Sequence, residues 1–146
     1  MYSLEEIAAL RQKCIALELE GREILDKYSD TELQTICNGI GPDLFPDWMR
    51  KIVSDIHPSL QVVAFIHDVE WYESDGEYDS FFWSNRRFVD NGIRVAFATY
   101  KWYDPRRYIV CWRANRLARC CHFGGWLAYQ HCFNVRKERE AGNNDG

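Results

Sequence analysis

Apolar residues at positions 7, 10, 14, 17, 24 and 28 recur at helical spacing, with Gly21 occupying one seat of the same stripe. Ser3 and Glu6 stand just ahead of that stripe, in the spacing by which a helix satisfies its first free amides. The pattern predicts a long amphipathic helix from about Ser3 to Lys27. Ser29 and Glu32 repeat the signal and predict a short second helix to about Ile36. The run from Cys37 to Pro42 holds two glycines and a proline and reads as a loop. Pro46 suits the first position of a helix. Trp48, Met49, Ile52, Val53 and Ile56 then share one face, so residues 46–56 are expected to be helical. Pro58 pushes His57 out of the helical region and ends that element.

Residues 60–72 fit two descriptions. Val62, Val63 and Ile66 are β-branched, and 62–66 alone would make a buried strand. A helix also fits, because Leu60, Val63, Ala64, His67 and Trp71 then fall on one stripe. In that case His67 and Trp71 stack one turn apart, and Asp68 projects roughly 100° further round the axis. Residues 73–79 form a polar loop, and 80–90 look helical, with Phe81, Phe82, Asn85 and Phe88 on one side. Asn91-Gly92 suits a helix C-cap or the tip of a hairpin, and an interrupted helix is the preferred reading. Asp104-Pro105 opens a further helix to about His122. Gly124-Gly125 breaks it, and a last helix runs to about Glu138. These elements predict an all-α fold, a small multi-helix domain over residues 1–140 with a frayed tail at 141–146.

Composition changes this picture little, and charge changes it more. The chain has 146 residues, 47% of them hydrophobic, which suits one domain. The aromatic share of 15% is high and suits either a dense core or a contact surface. A net charge of −4 gives no overall field for nucleic acid, so no nucleic-acid partner is expected. Basic residues crowd 105–139 and acidic ones crowd 5–32 and 68–79. Complementary faces packing together account for this more simply than a basic binding surface. No stretch reaches the ~20 apolar residues of a membrane span. The N-terminus lacks the basic-then-apolar order of a secretory signal. A cytoplasmic protein is expected, or one delivered without a conventional signal. Six cysteines without a CxxC motif read as reduced and mostly buried.

Three groups of residues could carry chemistry. The first joins the 38–42 loop to His67, Asp68, Trp71 and Asn85. An imidazole titrates near neutral pH and suits a base that activates water. A carboxylate with glycine-loop carbonyls suits Ca²⁺, which would polarise an ester carbonyl. The second is Cys120, Cys121, His122, His131 and Cys132. Adjacent side chains splay around a helix, so these read as core residues in preference to zinc ligands. The third is Trp102, Tyr103, Tyr108, Trp112, Trp126 and Tyr129, interleaved with arginines. Core packing with snorkelling arginines is preferred there to a lipid or protein contact surface.

His67-Asp68-Val69-Glu70-Trp71 resembles the His-Asp-x-x-Tyr signature of phospholipase A2-like folds, and Gly39-Ile40-Gly41 after Cys37 resembles their Gly-x-Gly calcium loop. Ser84-Asn85-Arg86-Arg87-Phe88 stands where such proteins carry the aspartate that holds the catalytic histidine, often followed three residues on by Phe. The resemblance covers roughly residues 36–90 and is to compact, disulfide-free relatives of bacterial or phage type. It implies a phospholipase A2-like helical core and Ca²⁺-dependent hydrolysis of lipid esters at a lipid surface. His67 would be the base, and Asp68 would bind Ca²⁺ with carbonyls of Cys37, Gly39 and Gly41. Trp71 would brace the network, and Asn85 would replace the orienting aspartate. An amide cannot stabilise imidazolium as a carboxylate does, so the site would be weakened or inactive. Two other readings follow. One is an inactive scaffold serving interaction or assembly, with the N-terminal helix supporting a homo-oligomer. The other is a small helical protein unrelated to this family. A shared network requires His67 and Asn85 within ~3.2 Å; an unrelated fold leaves them apart.

Overall fold

Ser3 begins the first helix in the way its spacing predicts. Its hydroxyl accepts from the Glu6 amide at 3.2 Å, and the Glu6 carboxylate accepts from the Ser3 amide at 2.7 Å. The computed structural model describes residues 2–39 and 47–144. Among them are seven α-helices and no strand. They are α1 (Leu4–Ala16), α2 (Asp30–Gly39), α3 (Asp47–Ser54), α4 (Gln61–Tyr72), α5 (Tyr78–Thr99), α6 (Pro105–Gly124) and α7 (Trp126–Asn144). The described residues are all-helical in class, and residues 60–72 take the helical alternative.

The first helix is shorter than its stripe predicts. It stops at Ala16, and residues 22–27 form a separate 3-10 turn. Glu18 and Gly21 both adopt the left-handed region, at φ 50° and 85°. The break is held by tertiary bonds. Asn91 accepts from the Glu20 amide at 2.8 Å and donates to the Glu20 carbonyl at 2.9 Å. Arg11 reaches from α1 to Asp30 at 2.6 Å and to the carbonyls of Leu25 and Tyr28. Folding the segment back buries Leu19 and Leu25 beside Ile7 and Cys14. A straight helix would leave those residues in water.

The expected interruption at Asn91-Gly92 is absent, and α5 runs through it. Glycine serves close packing here: a Cβ at Gly92 would stand 2.5 Å from the Ala114 Cβ of α6. The α5–α6 pair is the most extensive helix contact in the molecule. α6 begins at the predicted Asp104 cap, which accepts from the Arg106 amide at 3.0 Å. It ends where Gly125 donates to the Cys121 carbonyl at 2.8 Å. The last helix extends past Glu138 into the segment expected to fray. Two groups of buried side chains result. The larger gathers α1, α2, α4, α5 and α6 around Phe65, Ile66 and Leu60, and the smaller packs Trp71 of α4 and Phe81 of α5 against Ala128 and Tyr129 of α7.

Candidate functional site

α4 is buried on most of its circumference, which places His67 inside the molecule at 6% exposure. Its ring lies between Trp71, centroids 4.8 Å apart, and the edge of Phe88 at 5.2 Å. The i, i+4 stacking expected of His67 and Trp71 is present. Asn85 projects from α5 toward the same ring. His67 Nε2 and Asn85 Oδ1 are 2.9 Å apart, the approach that a shared network requires. An amide oxygen only accepts, so the proton of this bond sits on Nε2 and Nδ1 keeps its lone pair. Nδ1 has no hydrogen-bond partner among the described residues. Burial pushes the imidazole pKa down to about 4; the Asn85 bond raises it and the Arg87 charge lowers it further. At neutral pH the ring is therefore uncharged.

Trp71 braces the group differently from expectation. Its indole N–H donates to Ser84 Oγ at 3.2 Å, and Ser84 donates to the Phe81 carbonyl at 2.9 Å. Trp71 thus holds α5 one residue before Asn85 while its ring walls His67. Asn85 Nδ2 is buried and has no acceptor. A carboxylate in that position would leave no orphaned donor. Gly125 completes the wall: a Cβ there would lie 2.5 Å from Trp71 Cη2. Neither Ser84 nor Gly125 was expected to matter from sequence. Ser84 stands beside Asn85 in the stretch that carries the resemblance but has no role assigned by it, and Gly125 reads only as a helix breaker.

Asp68, the next residue along α4, lies within electrostatic reach of Tyr2, Cys37 of α2, Cys121 of α6 and Cys132 of α7. Burial raises its carboxyl from the ordinary 3.8 to about 7. Its charge in turn opposes ionisation of Tyr2, Cys37, Cys121 and Cys132, after burial itself. No described group donates a hydrogen bond to it. Two of the core cysteines read from the sequence, Cys121 and Cys132, therefore feel the Asp68 charge, and all six thiols are unbridged. Cys37 and Gly39 are not in a loop: they form the last turn of α2. Gly41 lies outside the described residues.

Calcium takes about six to eight oxygen ligands. Carbonyls in a helix's last turn lack intrahelical partners and carry the negative end of its dipole. Asp68 beside the Cys37 turn therefore offers hard donors that suit such an ion. Among the described residues no set of three His, Cys, Asp or Glu side chains could hold a metal. Calcium here would rest on Asp68 and backbone oxygens.

A groove of about 270 Å³ opens between α2 and α7, lined by Ile36, Tyr72, Cys132, Val135 and Arg139 among others. Tyr72 lies one turn beyond Asp68 on α4, and Cys132 senses its charge, so the groove adjoins the Asp68 side of the helix. Arg139 stands over the Tyr72 ring at 5.4 Å and donates to its hydroxyl at 2.7 Å. The groove pairs apolar walls with a cation.

No family model matches the chain, and neither the curated proteins nor the solved structures compared with it give a match.

Proposed function

We propose that this chain is a phospholipase A2-like protein whose His67 centre hydrolyses lipid esters slowly with the help of Ca²⁺. The observation that carries this reading is the 2.9 Å bond from His67 to Asn85. It fixes the imidazole and leaves Nδ1 as the nitrogen that can take a proton. In the proposed step Nδ1 removes a proton from water, and the hydroxide oxygen bonds to the ester carbonyl carbon. The same proton then passes to the departing alkoxide oxygen as its bond to that carbon breaks. When bound, Ca²⁺ would polarise the carbonyl. Asp68 and the α2 carbonyls of Cys37 and Gly39 would hold the ion, with Gly41 added by the resemblance. The groove beside Tyr72 suits an acyl chain.

Two features predict low turnover. A base whose conjugate acid has a pKa of about 4 has a small driving force for taking a proton from water. The Asn85 amide orients the ring but does not stabilise imidazolium. The same features favour a second reading, an inactive scaffold that keeps the architecture and binds lipid without cleaving it.

The test measures fatty-acid release from phospholipid vesicles with and without Ca²⁺. It uses wild type, His67→Asn and Asn85→Asp. The hydrolase reading expects weak, Ca²⁺-dependent turnover that His67→Asn abolishes. It expects Asn85→Asp to raise turnover by about 100-fold or more, given what an Asp-to-Asn change costs in a catalytic triad. The gain should come with a pH profile shifted upward. Absence of release in both wild type and Asn85→Asp leaves the scaffold reading in place.

A further inference from the structure

α6 contains no carboxylate, and no Asp or Glu occurs from 105 to 137. Its outer face repeats every three or four residues: Tyr108, Trp112, Arg116, Arg119, Phe123. The aromatics are far out of the protein, with Trp112 59% and Phe123 75% exposed, and Leu127 just past the helix break is 79% exposed. Trp102, Tyr103 and Tyr108 are also exposed, whereas Tyr129 alone of that aromatic group is fully buried. The group expected in the core is therefore mostly on the surface. The arginines do not serve acidic neighbours either. Arg113, Arg116 and Arg119 have no described carboxylate within salt-bridge reach. Arg116 lies over the Trp112 ring at 5.4 Å.

Two shallow clefts flank this stripe and meet at Asn115, Arg119 and Phe123. One runs toward Trp48 of α3. The other runs toward Phe82 and Arg86 of α5 and has Asn85 in its wall. Aromatic and cationic side chains thus form one continuous surface.

We propose that this surface docks the protein on an anionic lipid bilayer. Tryptophan and tyrosine favour the headgroup level of a membrane, and arginines bind phosphate oxygens in pairs of hydrogen bonds. Phe123, where the two shallow clefts meet, and Leu127 are each exposed over three quarters of their surface, which suits a deformable medium into which they insert. A folded acidic partner would need a pocket shaped for each of them. Nucleic acid fits less well, because net charge gives no steering and two of the most exposed residues are apolar with no polar atom for a phosphate. Among the described residues no helix is long and apolar enough to cross a membrane, and the docking proposed is peripheral. Because Asn85 belongs both to the cleft and to the His67 bond, the docked face lies over the far side of the candidate centre.

The proposal does not rest on turnover at His67. The test sediments the full chain with vesicles of phosphatidylcholine, alone or mixed with phosphatidylglycerol. Variants are Arg116→Glu/Arg119→Glu and Phe123→Ser, each checked for native helical content by circular dichroism. Each basic residue near an anionic surface strengthens binding about five-fold. Double reversal should therefore weaken binding to mixed vesicles by at least about twenty-fold. Phe123→Ser should weaken it several-fold, and neither should change His67-dependent release from detergent-dispersed substrate, where it occurs. Binding of wild type should fall as salt is raised. Equal binding by wild type and the folded double variant overturns the proposal, as does equal binding to neutral vesicles or no binding at all. Arginine-dependent binding to duplex DNA or to an acidic peptide, with none to vesicles, overturns it in favour of that partner.

Discussion

Asp68 and His67 are neighbours in sequence, yet their environments push their titrations in opposite directions. His67 is squeezed between Trp71 and Phe88 and prefers to be neutral, with a pKa of about 4 against 6.5 for a free imidazole. Asp68 also prefers to be neutral, with a pKa of about 7 against 3.8. For His67 the unfolded chain takes up a proton first as pH falls, so its contribution to stability is lost between about 6.5 and 4. For Asp68 the folded chain holds a proton that the unfolded chain has released. Its contribution is present at low pH and lost as pH rises toward about 7. The Asp68→Asn variant removes only the second effect. In Ca²⁺-free buffer its stability relative to wild type should therefore improve steadily from about pH 4 to about pH 7 and level off above. Urea midpoints of both proteins across that range measure the difference. A difference that does not move with pH would show an Asp68 that ionises normally. Much of this neighbourhood was legible beforehand. Positions 67 and 71 must stack on any helix, and 85 faces back because it shares a stripe with Phe81 and Phe88. The destination of the Trp71 N–H was not legible, since Ser84 and Asn85 are adjacent and only packing decides which one the indole reaches.

Glycine carries the main lesson at the level of elements. Gly21, Gly92 and Gly125 look alike in sequence, and each interrupts or flanks an apolar stripe. Gly21 does turn the chain, because its left-handed φ lets the following residues fold back under Asn91. Gly92 does the reverse and keeps α5 unbroken. It lets α5 approach α6 so closely that no side chain fits between them. A one-dimensional pattern cannot separate these cases, because the deciding atom, Ala114 Cβ, lies 22 positions further on. Alanine would ordinarily strengthen a helix by about 1 kcal/mol over glycine. At position 92 the 2.5 Å clash with Ala114 works against that gain. Overpacking of this kind costs about 1–3 kcal/mol, and neither contact atom is the end of a flexible side chain. Gly92→Ala should therefore lower stability, by up to about 2 kcal/mol net, and Gly92→Ala/Ala114→Gly should recover most of it. Thermal melts followed at the far-ultraviolet helical signal would show both. A stabilised single variant would mean that α5 and α6 are less tightly apposed.

The distribution of charge and apolar surface matters most for the molecule as a whole. The sequence suggested that its basic and acidic stretches pack on one another. α7 does this: Arg136 donates to the Glu73 carbonyl at 2.7 Å and lies 3.9 Å from its carboxylate. α6 does so only at its start, where Arg106 pairs with Asp104 at 2.7 Å, and Arg113, Arg116 and Arg119 are left for something outside the chain. Periodicity could not show this, because α6 has apolar residues all round, and only the packing of α5 tells which of them are covered. The N-terminal stretch went the other way. Read as one long helix, it would overhang the body and suit self-assembly, and its removal would then leave a folded monomer. In the structure residues 2–28 pack into the core. Ile7, Cys14 and Leu19 are fully buried and Leu25 is 1% exposed, packed with α4 side chains such as Ile66 and Val62. Losing one large buried aliphatic side chain typically costs about 2–5 kcal/mol. A chain of this size has about 5–15 kcal/mol in all. Deleting residues 1–28 removes several such side chains together with Arg11, which ties α1 to Asp30 and the 22–28 turn. The truncated chain should therefore lose cooperative unfolding and expose its α4 face, with a collapsed helical signal and aggregation in light scattering. A monodisperse, cooperatively melting product would mean that the N-terminal segment is an appendage, and would return it to the role of an assembly helix.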